Sequence, residues 1–345
     1  MDFRNRLLSL LALLGITTGA CLPEEDEVKA ETKAPLYSKL GYDLTPPSAE
    51  AKAARLKELT AEQIRVTQNA GTEPAGCGLL LKEKRAGLFA CVVCGLPLFK
   101  SGTKFESGTG WPSFFDPFAP EHVRVNVDRT HGMVREEIVC GRDGAHLGHV
   151  FDDGPKPTGK RYCLNSASLR FFAEGDALPP ESKPVATQVA YFAGGCFWGV
   201  EDEFSAQVGV VDAESGYMNG KTEAPTYKEI CNHDTGHAEA VKIVFDPART
   251  SFRKLAEFFF TIHDPTTMNR QGPDIGDQYR SAILTVDAAQ LAEANTLIAG
   301  LSKLPKYEKR RIVTIVEPAK TFWPAEEYHQ DYHLKNGGSC RVKGG

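Results

Sequence analysis

The chain has 345 residues, long enough for two domains with separate cores, and 41% of them are hydrophobic against 25% charged. That is the composition of an ordinary soluble globular protein, and a formal net charge of -5 at pH 7 gives no basic surface on which nucleic acid would be held.

From the N-terminus, Arg4 and Arg6 precede an apolar run from Leu7 to Ile16 that is too short to span a bilayer, and Thr18-Gly19-Ala20-Cys21 follows. Residues 1–21 therefore have the form of a secretory signal, and export to a bacterial periplasm is expected. Two fates are open at Cys21: lipidation, which would anchor the mature chain to a membrane, or simple cleavage, because Thr18 fits a lipoprotein signal only loosely. Residues 22–37 are charged and poor in large apolar side chains, as a flexible tether would be.

Thr60-Ala61-Glu62-Gln63 opens a helix with a capping box, and Asn69-Ala70-Gly71 ends it. Short strands and glycine turns follow. Nine cysteines in an exported chain would ordinarily build a disulfide framework, but this one is long and apolar enough to fold without it. With Cys21 set aside, Cys77, Cys91, Cys94, Cys140 and Cys163 fall in the first half, and Cys196, Cys231 and Cys340 in the second. Cys91-Val92-Val93-Cys94 reads as one metal knuckle, and Cys140-Gly141-Arg142-Asp143 as another whose last thiolate is replaced by a carboxylate. Together they would hold a structural zinc, less tightly than four cysteines; the alternative is a Cys91–Cys94 disulfide. In Arg161-Tyr162-Cys163-Leu164-Asn165, strand alternation puts Arg161, Cys163 and Asn165 on one face, and a guanidinium beside a thiol favours its thiolate. His146 and His149 would lie on opposite faces of a regular strand, or both towards Cys163 if Gly148 forms a bulge.

Residues 175–187 contain the proline-rich stretch Leu178 to Pro184, a natural linker, and a new domain begins at Gln188. Gly194 and Gly195 turn the backbone tightly after a strand-like run, while Phe197, Trp198, Val200 and Phe204 recur at helical spacing. Cys196 thus falls at a helix N-terminus, where the dipole and free N–H groups favour thiolate. His237 to Phe245 alternates so that Glu239 shares a face with Val241, Ile243 and Phe245. Burial there would raise its pKa and make it a general acid; a buried glutamate paired with a lysine or arginine is the alternative. Cys231 reads as a packed free thiol, and His329 with His333 as a solvated or core-edge pair rather than metal ligands.

Ser107 to Phe114, Gly144 to Phe151, Asp153-Gly154-Pro155 and Arg161 to Phe171 together resemble methionine sulfoxide reductase B, over residues 38–174. The resemblance implies a mainly-β domain of two antiparallel sheets, with Cys163 as nucleophile and Arg161 as stabiliser of its thiolate. It also implies His149 and His146 as hydrogen-bonding and proton-donating groups, Asn165 as a further polar contact and Trp111 as the wall receiving the substrate methyl. Many members carry a resolving cysteine where this chain has Thr109, so that role passes to Cys77 in Gly76-Cys77-Gly78. Asp143 stands where zinc-bearing members have a fourth cysteine.

Gly195 to Gly199, Gly236 to Val241, His263 to Thr267, Arg270 to Asp274 and Gln278 to Ser281 resemble methionine sulfoxide reductase A, within a domain of residues 188–345. An α+β two-layer sandwich is implied, with Cys196 as nucleophile, Glu239 as proton donor and Cys340 as resolving thiol. Phe197 and Trp198 would cage the substrate methyl, and Tyr227, Asp274 and Tyr279 would complete a polar pocket. The expectation is therefore a fusion that reduces both epimers of methionine sulfoxide in oxidised proteins and as the free amino acid. It would use no organic cofactor, and a thioredoxin-like reductant would regenerate both thiols. A general thiol–disulfide oxidoreductase is disfavoured because neither nucleophile lies in a C-x-x-C. A zinc-stabilised binding module with structural thiols is the rival from another class.

Overall fold

The computed structural model describes residues 36–232 and 234–338, so the expectations placed on Cys21, the signal segment, most of the tether and Cys340 lie outside the described residues. The first half opens with α1 (Ala49–Leu56), capped by Ser48, and α2 (Ala61–Gln68). At α2 the capping box forms: Thr60 Oγ1 accepts from Gln63 N, and Gln63 Oε1 accepts from Thr60 N at 3.0 Å. Strands β1 (Gly87–Cys91), β2 (Pro97–Lys100), β3 (Lys104–Phe105), β4 (Ser113–Phe114), β5 (Val123–Asp128), β6 (Arg135–Cys140), β7 (His146–Phe151), β8 (Arg161–Leu164) and β9 (Leu169–Ala173) follow. They form a three-stranded sheet, β2-β1-β9, and a six-stranded sheet, β3-β4-β8-β7-β6-β5, both antiparallel. One core joins the two sheets, with Phe89, Leu98 and Phe99 from the first meeting Phe114, Ile138, Leu147 and Leu164 from the second.

Register is what builds chemistry into this sheet. Directly paired residues of neighbouring antiparallel strands share a face. Ser113, Cys163, His149, Glu137 and Asn126 are such partners in succession across β4, β8, β7, β6 and β5, and so form one row. Between Gly148 and His146 the pairing of β7 with β6 skips Leu147, which is the bulge that brings both imidazoles to one side. Their rings lie 5.6 Å apart. The bulge needs glycine, because a Cβ at Gly148 would come within 2.1 Å of the Cys163 carbonyl oxygen.

The second half comprises β10 (Gln188–Gly194), α3 (Phe197–Ser205), β11 (Val210–Met218), α4 (Tyr227–Cys231), β12 (Ala238–Phe245), α5 (Phe252–Ile262), β13 (Arg270–Gln271), β14 (Asp274–Ile275), β15 (Ser281–Thr285), α6 (Ala288–Leu301), β16 (Ile315–Pro318), β17 (Trp323–Pro324) and α7 (Tyr332–Asn336). Its main sheet runs β16-β15-β10-β12-β11-β17, with β15 and β16 parallel and the other pairs antiparallel. On one face, Phe192, Val241, Ile243 and Phe245 pack against apolar residues of α3, α5 and α6. The opposite face is built of Ala193, Met218, Ala240, Ala282 and Leu284, with Phe322 laid over it. Small side chains there let a loop, rather than a helix, cover the sheet.

The stretch Leu36 to Thr45 touches both halves. Tyr42 and Leu44 enter the first core, and Ser38 Oγ lies 3.0 Å from His122 Nε2. Tyr37, assigned to the tether from composition, is only 4% exposed and donates to Asp246 Oδ2 at 3.1 Å, so the ordered chain begins before the expected boundary. Arg249 donates to Thr45 Oγ1 at 2.8 Å. The buried guanidinium of Arg142 gathers three carbonyls, those of Asp43 (2.6 Å), Cys94 (3.0 Å) and Glu181 (2.8 Å), so the linker is fastened to the knuckle loops rather than free.

Gly148→Ala drives a methyl into the Cys163 carbonyl, and overpacking of this kind costs about 1–3 kcal/mol. Calorimetry is expected to show the first domain melting several degrees lower, and an unchanged melting temperature would mean that the bulge tolerates a side chain.

Candidate active sites and metal cluster

Cys163 sits mid-strand on β8 with part of its surface exposed. Thr109 Oγ1 is 3.8 Å from its sulfur and belongs to a hydroxyl chain with Ser107 (2.8 Å), which continues to Ser113 (2.7 Å). Arg161 chelates Asp153 through Nε (2.8 Å) and Nη2 (2.9 Å), and lies over the Phe151 ring. The Asp153 carboxylate, followed by the Cys163 sulfur, holds the guanidinium above its ordinary pKa. Behind the imidazoles stand two carboxylates that the sequence did not reveal. His149 Nε2 donates to Asp128 Oδ2 at 2.9 Å, and His146 Nδ1 donates to Glu137 Oε1 at 2.7 Å. Burial lowers the His149 pKa below its usual value, with Asp128 opposing the shift. Each neutral ring has therefore committed its N–H, and the nitrogen left over donates a proton only when the ring is imidazolium. His146 Nε2 is buried and has no hydrogen-bond partner.

Asn165 departs from the expected face. The strand ends at Leu164, and both ends of the Asn165 amide are taken by backbone: Oδ1 accepts from Glu73 N (2.9 Å) and Nδ2 donates to the Leu147 carbonyl (3.0 Å). Trp111 Nε1 donates to the Glu73 carbonyl at 3.0 Å, which fixes the indole plane. The Cys77 thiol is exposed, and its neighbour Gly76 donates through N to Gly110 O at 2.8 Å, so its loop abuts the one that carries Thr109 and Trp111.

In the second half Cys196 is the residue that caps α3, directly after Gly195, whose φ is +105°. A Cβ at Gly195 would press within 2.8 Å of Gln271, and one at Gly194 within 2.7 Å of the Phe259 ring, so the turn is closed on both sides. Glu239, on β12, is 2% exposed and accepts from Phe197 N at 3.1 Å through Oε2, placing its carboxyl at the start of the helix that Cys196 caps. Burial pushes this carboxyl up to about 8 against the pull of the Phe197 N–H, and the Asp274 charge adds to the rise. Tyr227 and Tyr279 are both raised, chiefly by burial. Both rings also feel the Glu239 charge, and Tyr279 those of Asp274 and Cys196.

The aromatic neighbours divide their work. Phe197 is fully packed against Tyr217 and His329, whereas Trp198 stacks on Tyr332 with ring centroids 3.7 Å apart and donates through Nε1 to His329 Nδ1 at 3.0 Å. His329 is thus 1% exposed and engaged, not solvated. Glu326 accepts from Tyr217 OH and Tyr227 N, each at 2.9 Å, and had no local signal in the sequence. Cys231 is a correction: its thiol is exposed, not packed, and hydrogen-bonds Tyr227. His263 is buried and bonded at both nitrogens, to the Phe259 carbonyl and Ser281, which makes it a brace beneath Gly194.

Cys91, Cys94, Cys140 and Asp143 meet, with their ligand atoms all within 4.8 Å of one another. Cys94 Sγ and Cys140 Sγ are 3.6 Å apart, and Asp143 Oδ2 is 3.4 Å from Cys91 Sγ while Oδ1 is held by Ala145 N. Tetrahedral ligation at about 2.3 Å spaces donor atoms at about 3.5–3.8 Å, so the set fits a small divalent cation. Cys91 and Cys94 are free thiols, not a disulfide. Burial raises Cys91 and Cys140, and Asp143 to about 7, a strain of like charges that a cation would relieve.

A partly exposed thiol among groups able to give a proton, present in both halves, is the arrangement expected of a thiol-dependent oxidoreductase. The family model described as "SelR domain" matches residues 59–173, and "Peptide methionine sulfoxide reductase" matches residues 188–343. The peptide methionine sulfoxide reductase MsrB of Caulobacter vibrioides (strain NA1000 / CB15N) is 56% identical over 149 residues, covering 43% of this chain and 93% of that protein. MsrA of Methanoculleus marisnigri is 52% identical over 154 residues, covering 44% of this chain and 93% of that protein. Reduced Mxr1 from Saccharomyces cerevisiae aligns at 38% identity with a TM-score of 0.43, covering 46% of this chain and 90% of that one. The chain belongs to the MsrB family in its first half and to the MsrA family in its second, and is a bifunctional peptide methionine sulfoxide reductase. Division of the two sulfoxide epimers between these families is their established property. The first domain reduces methionine-R-sulfoxide and the second methionine-S-sulfoxide.

Asp128→Asn leaves His149 without its charged partner, and charge-assisted hydrogen bonds contribute about 1.5–3 kcal/mol. R-epimer turnover is expected to fall about tenfold or more with S-epimer turnover intact, in parallel assays of each epimer.

Proposed function

We propose that Cys163 and Cys196 are the two nucleophiles. Each thiolate attacks a sulfoxide sulfur while an acid protonates its oxygen; the sulfoxide gains two electrons and leaves as methionine, and the oxygen remains on the cysteine as sulfenic acid. At Cys196 the acid is Glu239, and the buried carboxyl held by Phe197 N is the observation that carries this reading. At Cys163 the acid is His149 or His146 as imidazolium, supported by Asp128 and Glu137, while Arg161 pairs with the thiolate. Trp111 in the first site and Trp198 with Phe197 in the second receive the substrate methyl, and Tyr227, Asp274 and Tyr279 orient the oxygen. A second thiol then displaces hydroxide from each sulfenic acid, Cys77 in the first domain and Cys340 in the second, to give a disulfide and water. Each disulfide needs an external dithiol for its return, and a thioredoxin-like reductant has that chemistry.

A structural zinc held by Cys91, Cys94, Cys140 and Asp143 would pin two knuckles of the first domain together, away from either reaction. Residues 1–21 would direct export to the periplasm, with a lipid anchor at Cys21; the pattern from Arg4 to Cys21 supports this.

Cys163→Ser is expected to abolish reduction of the R-epimer alone, and Cys196→Ser of the S-epimer alone; retained activity on the matching epimer rejects the assignment. Removing a general acid costs about 10²–10⁴-fold, so Glu239→Gln should lower kcat for the S-epimer by that order. Because the acid must be protonated, S-epimer turnover falls as pH rises through about 8. R-epimer turnover also falls as pH rises, but through a lower range, because burial depresses His149. A pH profile of both epimers on one preparation reads the two limbs, and coincident limbs would refute the separate acids.

Asp143→Cys completes a four-thiolate set. Chelator competition is expected to show zinc held more than tenfold tighter in this variant, and equal retention would remove Asp143 from the ligands.

A further inference from the structure

Glu73 has no place in the reaction above, yet it joins the segment just after Cys163 to Trp111. Its carboxylate is buried, 6% of the residue being exposed, and it accepts from Ser166 N at 2.6 Å and Ala167 N at 2.9 Å, peptide units just beyond Cys163. Its own N–H donates to Asn165 Oδ1, and its carbonyl receives the Trp111 indole N–H. Four residues on is Cys77, bracketed by two glycines that touch the two sides of the site. Gly76 N bonds Gly110 O, beside Thr109, and a Cβ at Gly78 would meet Ser166 Oγ at 2.2 Å and Glu73 Oε1 at 2.6 Å. Leu80 N donates to the same Ser166 Oγ at 3.2 Å, so the loop wraps around the residue three places after the nucleophile.

From this geometry we propose that Glu73 is the positioning residue of the first site, anchoring the loop that presents Trp111 to the substrate methyl and Cys77 to the oxidised Cys163. The inference rests on the reading of Cys163 as nucleophile and Cys77 as resolving thiol. An ionised carboxylate suits the task because both oxygens only accept, and two converging N–H groups ask for two acceptors. Glutamine offers one acceptor and turns an NH₂ towards the other N–H. The anchor acts twice. It holds the indole wall, which sets KM, and it keeps Cys77 within reach for the resolving step, in which the Cys77–Cys163 S–S bond forms as the sulfenic S–O bond breaks and water leaves.

The test is Glu73→Gln in the full chain, with the S-epimer reaction of the same molecules as an internal control of fold and concentration. With methionine-R-sulfoxide and no reductant, a 1,3-diketone probe traps sulfenic acid and mass mapping scores the Cys77–Cys163 disulfide. The variant is expected to raise KM for the R-epimer three- to tenfold and to slow disulfide formation about tenfold, so that trapped Cys163 sulfenic acid accumulates while S-epimer turnover is unchanged. A residue that merely stabilises the fold would lower the melting temperature without moving the ratio of sulfenic acid to disulfide. Should Glu73→Gln unfold the first domain, Glu73→Asp keeps the charge on a shorter stem and is scored by the same ratio and KM. Unchanged KM and an unchanged ratio in the folded variant overturn the proposal. If wild-type turnover leaves Cys77 reduced, it is the resolving assignment of Cys77 that fails; Glu73 is then judged on KM, and an unchanged KM overturns it.

Discussion

The hydrogen bond from Phe197 N to the Glu239 carboxyl ties together the three elements that make the second site: the glycine turn after β10, the first turn of α3 and the end of β12. The helix N-terminus needs an acceptor for its free N–H groups, and the chemistry needs a carboxyl that keeps its proton near neutrality. One residue meets both demands only because it is buried. Desolvation outweighs the N–H that would favour the anion, which leaves the carboxyl raised to about 8. Cys196, next in line at the same helix end, receives the opposite bias from the helix dipole. A carboxyl that keeps its proton and a cysteine at a helix N-terminus are thereby joined through Phe197, which is the pairing the proposed reaction uses.

The first domain reaches the same pairing by another route, through strand register. Cys163, His149 and Glu137 are cross-strand neighbours, and the skipped Leu147 brings His146 into the group. A sheet spaces such partners at about 5 Å, so imidazole, thiol and carboxylate arrive together once the strands pair. This arrangement depends on Gly148, the point at which β7 comes too close to β8 for any side chain. Unlike Glu239, His149 is not held protonated by burial; it relies on Asp128 for the charged form.

What the sequence disclosed follows from how local each signal is. The Cys196 turn, the α2 capping box and the face of Glu239 are set by neighbours within a few residues, and each is legible there. His146 and His149 were left between two arrangements because a bulge is a property of the pair of strands, not of either one. Asp128, Glu137 and Glu73 carry no local mark at all: their partners lie 21, 9 and 93 residues away and are chosen by register and loop packing. Cys231 was misread for the related reason that α4 is short, and only the fold tells which of its sides faces solvent. Composition likewise hid Tyr37, whose partner Asp246 is 209 residues distant.

A thiol that cycles through sulfenic acid must meet a second thiol without being permanently blocked by it, and this is a problem of controlled reach. Both domains contain a buried carboxylate that grips backbone near the segment leading to the proposed second thiol. Glu73 holds the start of the Cys77 loop. Glu201, on α3 one turn past the Cys196 cap, accepts from Asp331 N at 2.9 Å and from Ser215 Oγ at 2.6 Å, and so fastens the chain just before α7. The two are not equivalent. Burial raises Glu201 to about 7, whereas Glu73 is matched to two peptide N–H groups with no competing hydroxyl. The grip on the second segment loosens or tightens with protonation near neutrality. The first acts over a short loop, with only three residues between anchor and thiol.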